Sequence, residues 1–215
     1  RILQLQDGYR YYSFIDTIGV YSGSHLYVKS RQVNKNVKNS KEFEINTRIE
    51  NNGNFAASLN RNELTYTVTL PENFEYVENS TEASFLNGNV PNTTITPLSV
   101  NFDRQNRTLT FTSNGLTSKG SNTREARFLP NKILNIRYKL RPVNIETPRE
   151  VTFNESLKYK TYAEIYVNTN DNTVIAQQSP FSLNVIMNKD NLEEQVNKEI
   201  IPSNYTWASY TKYNK

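Results

Sequence analysis

Along much of this chain apolar and polar residues alternate one for one, and a period of two places successive side chains on opposite faces of a β-strand. In residues 41–53, KEFEINTRIENNG, Phe43, Ile45, Thr47 and Ile49 share one parity and Glu42, Glu44, Asn46, Arg48 and Glu50 the other. In residues 62–77, Leu64, Tyr66, Val68 and Leu70 alternate with Glu63, Thr65, Thr67 and Thr69. Each run predicts a strand with one dry and one wet face. Asn51-Asn52-Gly53 closes the first as a turn, and Pro71 ends the second because proline has no N–H for the ladder.

The remaining pattern extends this picture. Residues 1–24 have no clean period and are broken by Gly8, Gly19 and Gly23, which reads as a lead-in segment with room for one strand, from a preceding domain or as an exchanged strand. Residues 25–33 begin a strand with Leu26 and Val28 inward, and Val33 breaks the parity, which predicts a bulge or a strand end. Residues 34–40 read as a polar loop, and 78–99 as long surface loops with Phe85, Leu86 and Val90 anchoring brief pairing. Residues 99–115 predict a hairpin, with Val100 and Phe102 before a turn at 103–106 and Leu109 and Phe111 after it. Leu134, Ile136, Tyr138 and Leu140 alternate up to Pro142. Residues 156–174 predict the longest strand, with Leu157, Tyr159, Thr161, Ala163, Ile165 and Val167 on one face, a turn at 168–172, and Val174 and Ile175 beyond it. Phe181, Leu183, Val185 and Met187 make a final strand.

Residues 189–201 carry Leu192, Val196 and Ile200 behind Asp190 or Asn191 as N-cap, which predicts a short helix ending before Pro202. The last residues are polar, aromatic and read as extended. The expected organisation is therefore a lead-in at 1–24, a core at 25–188, and a helix with an aromatic tail at 189–215. About eight to ten strands, hairpin connections and no helix inside the pattern predict an all-β fold: an immunoglobulin-like antiparallel β-sandwich with long loops and a short C-terminal helix, with a closed barrel as the alternative.

Composition adds limits. The 215 residues, 36% hydrophobic, can supply a core, and a mean hydropathy of -0.71 marks a very polar surface. There is no cysteine, which excludes disulfides, thiolate metal sites and a cysteine nucleophile. No apolar run is long enough to span a membrane as a helix. The start at Arg1 reads as that of a processed or excised piece. The net charge of +4 is spread along the chain. Its densest basic group, Lys29, Arg31, Lys35, Lys38 and Lys41, has no interleaved aromatic residues for stacking bases, so a solubilising role is favoured over nucleic-acid binding.

Candidate chemistry is sparse. His25 has no Gly-x-Ser-x-Gly partner and reads as structural. Glu193-Glu194 fits the first turn of the expected helix. Asn170-Asp171-Asn172 lacks the glycine and distal glutamate of a calcium loop and reads as a hairpin turn. Five Asn-x-Ser/Thr triplets, starting at Asn79, Asn92, Asn106, Asn154 and Asn204, are what an Asn- and Thr-rich chain produces by chance. Tyr162 and Tyr166 together with Tyr205, Trp207 and Tyr210 are candidates for an aromatic binding platform.

From Leu26 to Tyr76 the sequence resembles the DUF11-type, immunoglobulin-like repeat modules of Gram-positive surface proteins, adhesin or pilus-like. The matching features are Lys29, then Asn51-Asn52-Gly53, then Leu70-Pro71, then Phe74 and Tyr76. The resemblance implies an exported stalk or binding module, in some members locked by an internal Lys–Asn amide bond. Such a bond needs an unprotonated lysine, an amide and a protonated carboxyl group in a dry site. Lys29 stands where the family places its lysine. The expected Asn-x-Ala is Thr161-Tyr162-Ala163 here, so Asn168 is the remaining acceptor, in a shifted register. The expectation is a non-enzymatic extracellular module without cofactor, whose partners are neighbouring copies or domains, a host protein or a glycan. The alternative is a carbohydrate-binding module using the exposed Tyr and Trp residues.

Overall fold

The computed structural model describes strands at residues 2–4 and 10–12, and residues 23–95, 98–115, 127–162 and 173–187. In chain order the strands are β1 (Ile2–Gln4), β2 (Arg10–Tyr12), β3 (Leu26–Gln32), β4 (Asn36–Lys38), β5 (Phe43–Asn51) and β6 (Ala57–Ser58). They continue with β7 (Thr65–Thr69), β8 (Phe74–Tyr76), β9 (Glu82–Asn87), β10 (Val90–Ile95), β11 (Leu98–Asp103) and β12 (Thr108–Ser113). The last are β13 (Arg127–Phe128), β14 (Ile133–Pro142), β15 (Arg149–Lys160), β16 (Thr173–Gln177) and β17 (Phe181–Ile186).

Two sheets enclose one core. The first runs β10-β9-β14-β5-β3, with β8 also on β14; the second runs β11-β12-β7-β15-β17-β4, with β16 also on β15. The inward parities are those the alternation predicts: Ile45, Ile49, Leu64, Tyr66, Val68, Leu109, Phe111, Leu134, Tyr138 and Leu157 are all buried. Aromatic rings join the layers, Phe74 meeting Phe153 edge to face at 5.3 Å and Phe111 meeting Tyr138 at 4.9 Å. The outer face of the first sheet is a ladder of ion pairs, Arg141 to Glu42 at 2.6 Å and Arg137 to both Glu82 and Glu44.

Several elements differ from the sequence expectation. Residues 36–38 are not loop: β4 pairs with β17, the one parallel pairing among the described strands, and Val37 is 3% exposed. A strand with one apolar residue shows no period. The stretch 78–99 holds the β9–β10 hairpin, turned at Gly88 with φ 62°; its core-side positions beside Ile136 and Leu134 are Ala83 and Phe85, of which Ala83 is too small to register as part of a hydrophobic run. The longest strand starts at Arg149, seven residues before the expected Ser156, and buries Val151, Phe153 and Glu155. The expected C-terminal helix and the turn at 168–172 lie outside the described residues.

Candidate functional site

The polar centre of the sandwich is built by a bulge. In the β3–β5 ladder Val28 pairs with Ile49 and Ser30 with Arg48, leaving Lys29 as the extra residue. This inverts the parity of the strand. Leu26, Val28 and then Arg31 share the core side, opposite Asn51, Ile49 and Thr47.

Arg31 therefore reaches across to the second sheet. Its Nε donates to Glu155 Oε2 at 2.5 Å and its Nη2 also contacts that oxygen, while Nη2 donates to the Ser179 carbonyl at 2.8 Å. The guanidinium lies 5.3 Å from the Phe181 ring centroid. The Glu155 side chain is 0% exposed and that of Arg31 15%. A carboxylate this deep in a core is stable only when paired and hydrogen-bonded, and the second oxygen accepts from Tyr66, whose hydroxyl also lies 3.4 Å from Thr47 Oγ1.

Burial first, with Tyr138 and Glu155 adding to it, pushes the Tyr66 hydroxyl well above its ordinary range. Burial and then Glu155 raise Tyr138 as well. Both hydroxyls stay protonated, and a guanidinium does not give up its proton in a protein. The centre thus offers charge pairing and hydrogen bonding between sheets, and its Arg and Tyr groups supply no free base.

A second polar knot closes one end of the sandwich. Asn51 is fully buried, its Oδ1 accepting from His25 N at 3.1 Å and Gly53 N at 3.0 Å, and its Nδ2 donating to Phe55 O at 2.9 Å and Phe128 O at 2.8 Å. All four bonding positions of the amide are used. Gly53 is required by space: a Cβ there would lie 2.5 Å from His25 N and 2.8 Å from the Ser24 carbonyl carbon, and against Gly23 O.

The sequence candidates fall in separate places. Lys29 is on the wet face, its side chain 45% exposed and its Nζ 3.0 Å from Glu50. The Tyr27 hydroxyl, against burial and with help from Lys29, holds the Glu50 carboxyl below its usual range. The basic side chain that the bulge turns into the dry centre is Arg31, which cannot act as an amine nucleophile. Arg31 is thereby removed from the basic group of residues 29–41. His25 stacks on Tyr27 at 6.0 Å and contacts Asn52. Tyr162 is half-buried, with the Arg127 guanidinium 5.1 Å above its ring. Asn168, Tyr166, Tyr205, Trp207 and Tyr210 lie outside the described residues, as do Asn170-Asp171-Asn172 and Glu193-Glu194. Glu155 was missed from the sequence, although Val151, Phe153, Leu157 and Tyr159 on its own parity mark it as a charge at a core position.

The chain is thus a cysteine-free, all-β sandwich module with a polar clamp between its sheets. No family model matches the sequence, and no curated protein matches it. Solved structures with a similar arrangement include BcpA, the major pilin subunit of Bacillus cereus, at 12% identity and a TM-score of 0.44 over 76% of this chain and 40% of that one. Another is the collagen-binding domain of a Staphylococcus aureus adhesin, at 12% identity and a TM-score of 0.39 over 74% of this chain and 95% of that one. Domains D2 and D3 of the major pilin SpaD from Corynebacterium diphtheriae give 11% and 0.47, over 71% and 50%. The chain spans half or less of the two pilin chains. Likenesses of this degree are loose, and the fold stands on the strand pairing described above.

Proposed function

We propose that this chain is a non-enzymatic, extracellular β-sandwich module of a bacterial surface protein, serving as an adhesin stalk or as a structural unit of a surface assembly. The observation that carries the reading is the Arg31–Glu155 pair, which ties the two sheets through the core of a chain with no cysteine. A module that must keep its shape outside the cell, where disulfides are the usual reinforcement, gains from such a tie. The resemblance of residues 26–76 to surface repeats supports it: Lys29 lies on β3, Asn51 ends β5, Leu70-Pro71 follows β7, and Phe74 and Tyr76 bound β8, all within the two-sheet sandwich. The partners proposed are neighbouring copies or domains, or a host protein or glycan.

The reading is tested on intact cells of the encoding organism with an antibody raised against the chain. Labelling before lysis, removed by brief protease treatment of the cells, is expected. Labelling that requires lysis refutes an extracellular module.

A further inference from the structure

A three-residue strand paired in parallel adds little to folding stability, because parallel ladders are the weaker kind and so short a strand makes few bonds. β4 is such a strand, and it belongs to a longer line of contacts. The Val28 N–H donates to Gln178 Oε1 at 2.8 Å, and Arg31 Nη2 donates to the Ser179 carbonyl at 2.8 Å with its guanidinium 5.3 Å from the Phe181 ring. Further on, the Asn184 N–H donates to the Lys35 carbonyl at 2.7 Å, Asn36, Val37 and Lys38 pair with Asn184, Val185 and Ile186, and the Asn39 N–H donates to the Ile186 carbonyl at 2.9 Å. The partners rise together, from 28 beside 178 to 39 beside 186. Residues 28–39 therefore run alongside 178–186 in one direction, passing from the first sheet to the second.

That direction decides how the sandwich meets a pull. A load carried along the chain enters it ahead of Leu26, at the Gln178 end of the paired stretch, and leaves it after Ile186, at the Asn39 end. Pulling these two points apart slides one stretch along the other. Every bond between them is then strained at once, whereas strands opened from a shared end break one bond after another. The point of entry is itself held: the Ser24 N–H donates to Thr161 Oγ1 at 2.9 Å, the His25 N–H to Asn51 Oδ1 at 3.1 Å and the Asn52 N–H to the His25 carbonyl at 3.0 Å. The bulge at Lys29 places Arg31 in the same path, because its bond to Glu155 ties the sliding stretch to β15, and the Glu155 carbonyl accepts from the Gln178 N–H at 2.9 Å.

We propose that residues 28–39 and 178–186 together form a mechanical clamp, so that the module resists a pull along the chain far more strongly than a pull that opens this pair from one end. The clamp gives the stalk or structural unit proposed above its load-bearing part, and it rests on that reading. It is a kinetic device. Forced unfolding follows the barrier to unfolding and not the equilibrium stability, so a parallel strand that adds little to stability sets the force.

The chain has no cysteine, so introduced thiols serve as unique handles for single-molecule force spectroscopy. The full chain is pulled first from its two termini, and then from Lys41→Cys, an exposed position just past β4, and the C-terminus. In the second arrangement both handles act at the Asn39 end of the pair and peel β17 from β4. The unfolding force from the two termini is expected to be several-fold the higher at the same pulling rate. Val37→Pro, which removes the N–H of the central β4 residue, is expected to lower the force between the termini towards the peeling force. Equal forces in the two directions, or a force between the termini untouched by Val37→Pro, overturn the proposal. The comparison of directions uses the native fold and decides alone if the substitution disturbs folding. Equal forces leave the labelling of intact cells as it stands, and labelling that requires lysis leaves the force difference as it stands, so the clamp and the extracellular role fail separately.

Discussion

Replacing Arg31 by methionine keeps the aliphatic stem beside Phe181 but leaves the Glu155 carboxylate, 0% exposed, with Tyr66 and no cation. Removing one partner of a buried pair costs about 3–5 kcal/mol, because the surviving charge stays in a low-dielectric site. For a domain of this size about 2–4 °C is lost per kcal/mol, so the melting temperature should fall by roughly 6–20 °C. The double variant Arg31→Met/Glu155→Gln removes the charge and keeps an acceptor for Tyr66, so most of that loss should return. Urea unfolding of the wild type, both single variants and the double variant forms a cycle, and a coupling of about 2 kcal/mol or more is expected. A cost for Arg31→Met below about 1 kcal/mol, or no coupling in the cycle, would refute a buried inter-sheet clamp.

Two further outcomes follow from the knot and the tyrosines. Gly53→Ala drives a Cβ into three backbone atoms that cannot move aside, so it should cost about 3 kcal/mol, whereas Gly88→Ala, with φ 62° and open space around it, should cost only about 1 kcal/mol; thermal melts compare them. Tyr66 and Tyr138 are held protonated in the fold, so their contribution is complete below the ordinary tyrosine pKa and is lost as pH rises above it. Their phenolate absorbance should therefore appear together with unfolding in alkali, and titration of every tyrosine in a still-folded chain would contradict this.

The sheets were legible because most strands alternate strictly: β5, β7, β12 and β14 can be read from Ile45, Val68, Leu109 and Ile136 and their neighbours two residues away. The polar centre was not, for reasons of distance and register. Glu155 interrupts an apolar parity, and its partner lies 124 positions away, turned inward only by the bulge after Val28. A break in parity at Val33 signals a bulge, but not which side chain it redirects. Asn51 was legible as a turn residue, since Asn-Asn-Gly marks a turn whether the first amide faces water or, as here, binds four backbone groups inside the core. β4 escaped because one apolar residue, Val37, carries no period.

The central claim, that the two sheets are tied by a non-covalent pair between Arg31 and Glu155, is tested most directly by the nuclear magnetic resonance signal of the Arg31 Nε–H, which donates to Glu155. A signal protected from exchange with solvent in the wild type and losing that protection in Glu155→Gln is expected. Free exchange in the wild type, or protection indifferent to Glu155→Gln, would contradict the account.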